Sequence, residues 1–151
     1  MNKVKVSIIV LVIVGIILCV LWIGSKLAPG SYANAEKYEI NVNDSILVSA
    51  INKFKNDSPQ YNVPVETQLK DGKDENSYWY FVYFFYPKEN QIIETWTRQD
   101  SKNKTIFAFV AVNEGLTIGN WKEINRDFTR SENKMQKKMF EERILNKLTY
   151  K

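Results

Sequence analysis

The sequence predicts an α+β fold: an N-terminal single transmembrane helix, then a small domain in which an antiparallel sheet of four to five strands packs with two amphipathic helices. Three observations carry this. Residues 6–24 (VSIIVLVIVGIILCVLWIG) hold no charge over nineteen positions. Residues 77–112 contain three strand-like runs joined by short polar links, which favours an antiparallel meander. Two segments, near residues 50 and 140, repeat apolar residues at helical spacing, and amphipathic helices need a sheet face to cover.

The apolar segment comes first. As a helix, 6–24 spans roughly 28 Å, close to the ~30 Å hydrocarbon core of a bilayer. Lys3 and Lys5 precede it, Trp22 lies at its far end, and Lys26 is the only charge between it and Glu36. These four residues are the candidate membrane-interface residues, and the charge bias favours a cytoplasmic N-terminus. The expected organisation is a cytoplasmic stub (1–5), a membrane helix (6–24), a juxtamembrane linker (25–36) and an extracytoplasmic α+β domain (37–151). Other readings compete. Ala33-Asn34-Ala35 resembles a signal-peptide cleavage site, although it lies beyond the usual distance from the apolar run. Cys19 would be the modified residue of a lipoprotein, but Leu18 stands where a small residue is wanted and VLWIG continues the apolar run. A buried globular helix is disfavoured by the length of the uncharged run.

Within the domain, residues 38–42 alternate and read as a short strand or extended lead-in. Asn43-Asp44-Ser45 offers helix caps, and Ile46, Leu47, Ala50, Ile51 and Phe54 make one apolar face of a helix over about 44–56. Pro59 ends it. Residues 63–69 read as a short strand, and Asp71-Gly72-Lys73-Asp74 as a turn. The run SYWYFVYFFY (77–86) follows. QIIETWTR (91–98) is its return strand, TIFAFVAV (105–112) the next, and residues 121–124 a short last strand. Thr129 and Glu132 fit a capping box. Met135, Met139, Phe140, Ile144, Leu145 and Leu148 are the expected inward side of a C-terminal helix, whose outer face is rich in lysine.

Composition removes several chemistries. There is no histidine, and Cys19 is the only cysteine. The commonest general base and metal ligand are therefore missing, as is any Cys/His zinc site. No cofactor and no metal is expected. With Lys3, Lys5 and Lys26 set aside, 18 Lys and Arg face all 17 acids, so the domain is near neutral and gives no electrostatic sign of nucleic-acid binding. Residues 122–151 are more basic, with nine Lys and Arg against five acids. That helix face is a solvated surface or a contact for anionic lipid or an acidic partner. No phosphate-cradling loop and no nucleophile elbow occurs. Glu94 and Asp100 are the one pair of carboxylates considered for glycosidase-type chemistry. The chain is expected not to be an enzyme.

The aromatic run poses the functional question. Alternation sends Tyr78, Tyr80, Val82, Phe84 and Tyr86 one way and Trp79, Phe81, Tyr83 and Phe85 the other. Neither set is polar. Either the strand is covered on both faces, or one face is an aromatic contact surface of the kind enriched at interfaces. The candidate binding residues are Trp79, Phe81, Tyr83 and Phe85, with Trp96 and Arg98 of the return strand.

The layout, with its last strand spelled Gly119-x-Trp121-Lys122-x-Ile124, resembles small membrane-anchored assembly or accessory factors of bacterial envelopes and mitochondria. It is also similar to cone-shaped domains of the cystatin or nuclear-transport-factor type. The residues taken together lead to the expectation of a non-catalytic, single-pass accessory subunit of a cell-envelope complex, with its domain periplasmic or extracellular and a protein partner met by the aromatic sheet and the last helix. The alternatives are an immunity or inhibitor protein against a toxin, or a binding domain for lipid or another small hydrophobic molecule.

Overall fold

The computed structural model describes residues 12–18, 32–73 and 77–150. The chain divides into two units, Met1–Ala33 and Asn34–Lys151. In the first, residues 12–18 are helical, and Val12, Ile13, Val14, Ile16, Ile17 and Leu18 are all exposed. The rest of the predicted span 6–24, with Lys3, Lys5, Trp22 and Lys26, lies outside the described residues. Among the described residues, no helix is long and apolar enough to cross a membrane.

The second unit is α+β. Its strands are β1 (Glu36–Ile40), β2 (Gly72–Lys73), β3 (Tyr80–Tyr86), β4 (Gln91–Ser101), β5 (Lys104–Glu114) and β6 (Trp121–Glu123). They form one antiparallel sheet in the order β1-β5-β4-β3-β2, with β6 also on β5. Because β1 pairs with 105–109 and β6 with 111–113, the two share one edge of β5. The predicted meander is β3-β4-β5. The strand count exceeds the four to five expected because Gly72–Lys73, expected as a turn, pairs with Tyr80 and Phe81.

The segment 63–69 is not a strand. Pro64 has no N–H to give a ladder, and Val65–Thr67 winds into a 3-10 turn that Gln68 closes at φ 59.

Helix α1 (Asp44–Asp57) starts at Asn43, whose side chain accepts from the Ile46 N–H at 2.9 Å. Helix α2 (Arg130–Arg143) starts on the predicted capping box of Thr129 and Glu132. Both helices lie on one face of the sheet. Leu47, Ile51 and Phe54 of α1 and Phe140 of α2, with Ile144 and Leu148 beyond it, meet Val82, Phe84 and Tyr86 of β3, Ile93 of β4, and Phe107, Phe109 and Val112 of β5. Phe140 is the hub, with ring centroids 4.9 Å from Phe109 and 5.4 Å from Phe107. The inward side of α2 and the segment after it matches the expectation at Phe140, Ile144 and Leu148, with Met139 and Leu145 packed against the core, and departs from it only at the first position. Gln136 is buried and donates to Gln91 Oε1 at 3.2 Å, whereas Met135 is exposed. Positions 136, 140 and 144 repeat at i, i+4, i+8, so a stripe centred on Phe140 turns Met135 outward.

One polar device closes the free edge of β3 where β2 ends. Asp71 Oδ1 accepts from the Tyr83 N–H at 2.9 Å, and its other oxygen meets Lys55 Nζ at 2.5 Å. Lys55 also donates to the Tyr83 carbonyl at 2.8 Å. An edge strand otherwise offers unpaired donors and acceptors to other chains.

Candidate functional site

The even-numbered residues of β3 build the core, which leaves the odd-numbered set on the opposite face. The register lays that face out in rows. Phe85, Ile92, Asn113 and Trp121 form one row; Tyr83, Glu94, Ala111 and Glu123 the next; Phe81, Trp96 and Ala108 the third. Trp79 sits just before β3, towards the end where Arg98 faces Ile106.

The middle of this face is buried: Ile92 and Ala108 are 0 % exposed, Trp96 1 % and Ala111 2 %. Trp79, Phe81, Tyr83, Phe85 and Trp121 are half-buried around it, and Arg98 is exposed. Of the six sequence-predicted binding residues, Trp96 therefore belongs to the floor of the face rather than its surface. Its ring lies 6.1 Å from that of Trp79. The central strand covered on both sides is β5, buried from Thr105 through Asn113, and not the aromatic strand.

Tyr83 and Trp121 make the most telling contact. Their strands stand three spacings apart, about 14 Å in a flat sheet, yet their ring centroids are 6.4 Å apart. The rings meet only by leaning across β4 and β5. A register shift between Glu94 and Thr95 bulges β5 at Val110, and such a bulge bends the strand. Alanine at 108 and 111 keeps the floor low beneath the rings.

Asn113 sets the position of Trp121. It is fully buried, and its side chain donates to the carbonyls of Gly115 (2.9 Å) and Thr117 (3.0 Å) and accepts from the N–H of Asn120 (2.9 Å). The loop leading into β6 is thus wrapped around one amide. Asn113, Trp121 and Glu123 are not among the sequence-predicted site residues. The signal available was Gly119-Asn120 before an aromatic residue, two strands away from the aromatic run in sequence.

Glu94 lies beneath this arch, one strand spacing from Ala111 and two from Glu123. Among the described residues it takes no hydrogen bond or ion pair. Burial, and then the charge of Glu123, push its carboxyl up to about 7. Glu123 is held on its other side, accepting from Asn34 Nδ2 at 2.8 Å and pairing with Arg126 at 2.8 Å. Asp100 lies six residues along β4 on its exposed end, about 20 Å from Glu94. Glycosidase carboxylates need at most ~9.5 Å, so these two do not form such a pair. Among the described residues, no three acidic side chains gather to hold a metal ion.

Away from this face, the described residues line shallow grooves. One, of about 340 Å3, runs between α1 and the C-terminal segment. Its cations are mostly committed: Lys53 pairs with Asp57, and Arg143 forms a two-pronged bridge to Glu89 at 2.8 Å.

No protein-family model matches the chain, and neither a curated protein nor a solved structure matches it. The resemblances drawn from layout and the Gly119–Ile124 strand gain no support from these comparisons.

Proposed function

We propose that the chain is a single-pass membrane protein, N-terminus in the cytoplasm and α+β domain outside it, that acts as a non-catalytic binding or assembly subunit of a cell-envelope complex. The observation that carries the reading is the half-buried ring set Trp79, Phe81, Tyr83, Phe85 and Trp121 on the sheet face opposite both helices. Large aromatic side chains bury contact area at low entropic cost, which suits a face made of rings to recognition.

The membrane part is supported by the uncharged run 6–24 and by the exposed apolar side chains of helical residues 12–18, which find no core of their own. An uncleaved anchor is supported by Asn34, whose side chain donates to Glu123 and whose carbonyl accepts from Asn125 Nδ2 at 2.9 Å. Cleavage after Ala35 would remove both bonds.

The test is a crosslinking pull-down of the full-length chain from its native membrane, beside a Trp79→Ala, Tyr83→Ala variant whose fold is checked by circular dichroism. Partners captured by the wild type and lost from the folded variant support the reading. Partners retained by the variant sink it. A neighbouring toxin gene would instead favour the immunity-protein alternative.

A further inference from the structure

We propose that two copies of this chain pair through strand β1, antiparallel about a two-fold axis at Tyr38, so that their sheets run on as one. The proposal is independent of the ring face and of its reading as a binding surface. It rests on an edge that the fold leaves open and on the order of charges along it. Among the described residues, β1 has a neighbouring strand on one side only, β5. No other described residue hydrogen-bonds the backbone of Lys37, Tyr38 or Glu39 from outside. The opposite edge of the sheet is treated differently. At Tyr83 of β3, the Asp71 carboxylate and the Lys55 ammonium take the N–H and the carbonyl that an added strand would need. An unblocked row of donors and acceptors is a template for another strand.

The strand is held firmly. Glu36 pairs with Lys137 of α2 at 3.1 Å, and the Tyr38 hydroxyl donates to Glu141 of the same helix at 3.1 Å. Its other two side chains are exposed. Lys37 and Glu39 lie on the side of the sheet away from the helices, in register with Ala108 and Ile106. Lys37 has no ion pair among the described residues. Glu39 meets Lys104 through one oxygen at 2.9 Å and is 64 % exposed, which leaves its second oxygen for another cation.

Charges on an edge strand oppose pairing when like meets like, and favour it when opposites meet. For two copies to keep each sheet face on its own side, the axis must pass through a residue. With the axis at Tyr38, Lys37 of each copy stands opposite Glu39 of the other, twice over. An axis at Lys37 or at Glu39 sets like charges face to face. The strand is therefore complementary to itself, and in one register. A foreign strand would have to bring a base and an acid at this spacing, whereas a second copy brings both by symmetry.

The test is sedimentation equilibrium of the full-length chain in detergent micelles. The samples are wild type, Lys37→Glu, Glu39→Lys and an equimolar mixture of the two variants, with each fold checked by circular dichroism. Wild type should dimerise reversibly, and less tightly in high salt. Each variant alone should bind itself about tenfold more weakly or worse, because two attractive cross-strand pairs become two repulsive ones. The mixture should recover the wild-type affinity. One chain is then acidic at both positions and the other basic at both, so both pairs attract again. A wild type that stays monomeric at sub-millimolar concentration overturns the proposal. So does a dimer that neither variant weakens, which would be held by the apolar N-terminal run or another face. Weakened variants whose mixture does not recover overturn the antiparallel register. The folded Trp79→Ala, Tyr83→Ala variant should dimerise as wild type does. Loss of its dimer would move the contact to the ring face and overturn pairing through β1.

Discussion

Replacing Glu94 with Gln should stabilise the domain at neutral and alkaline pH. The substitution keeps the shape and removes the charge. In the folded chain burial, aided by the charge of Glu123, raises this carboxyl from an ordinary 4.5 to about 7. Each unit corresponds to about 1.4 kcal/mol, so ionising Glu94 in place disfavours the fold by roughly 3 kcal/mol. Water on the partly exposed side of the group reduces this to about 2 kcal/mol. The sign follows from proton counting. Between about pH 4.5 and 7 the folded state holds a proton that the unfolded state has lost, so wild-type stability falls as pH rises through that window. Above it both states are ionised and the loss is complete; below it both are protonated and no loss exists. The assay is guanidinium unfolding followed by tryptophan fluorescence at pH 4, 6 and 8 for both proteins. The variant should match the wild type at pH 4 and exceed it by about 2 kcal/mol at pH 8. Equal stabilities at pH 8, or a gap already present at pH 4, would refute the placement of this carboxyl in a water-poor arch.

Other expected outcomes follow from the same geometry. Lys55→Met leaves Asp71 half-buried without its cation and should destabilise the domain by about 3 kcal/mol; the double variant Lys55→Met, Asp71→Asn should lose less than the sum of the two single changes in denaturant melts. Phe140→Ala empties the hub between Phe107 and Phe109 and should lower stability by about 3–5 kcal/mol. Asn113→Ala removes the amide that holds the loop before Trp121 and should cost about 2–4 kcal/mol, with increased hydrogen exchange at residues 115–120. Glu123→Gln removes the lesser of the two causes acting on Glu94, so a carboxyl-carbon NMR titration should show Glu94 moved down yet still above the ordinary range.

The fold was legible where short-range rules decide it. Thr129 and Glu132 sit three residues apart and can only cap one helix. Asn43 does the same for α1, and the alternation of 77–86 separates core from opposite face without any knowledge of the partners. What was missed depends on residues distant in sequence. Gly72–Lys73 is a strand because β3 offers it an edge, and nothing local announces that. Met135 faces outward because the stripe of α2 is anchored at Phe140, whose partners lie in β5. The same limit hid part of the site. The rings of 79–85 and the carboxyl of Glu94 stand out in the sequence, but that Ala111, Trp121 and Glu123 join them depends on separate strand pairings.

The division of labour on β3 also explains why the strand is so rich in rings. A sheet covered by helices on one face needs large apolar residues there, and Val82, Phe84 and Tyr86 provide them. On a solvated opposite face, β3 would show polar residues at 81, 83 and 85. It shows three more rings instead, while β4 and β5 place a carboxyl, two alanines and a buried tryptophan between those rings and Trp121. Folding alone does not require a carboxyl at 94: an apolar residue there would avoid the roughly 2 kcal/mol that its charge removes at neutral pH. A group that weakens the fold while standing in an arch of rings is most economically explained by what it contacts, as expected where stability is traded for a binding or catalytic role.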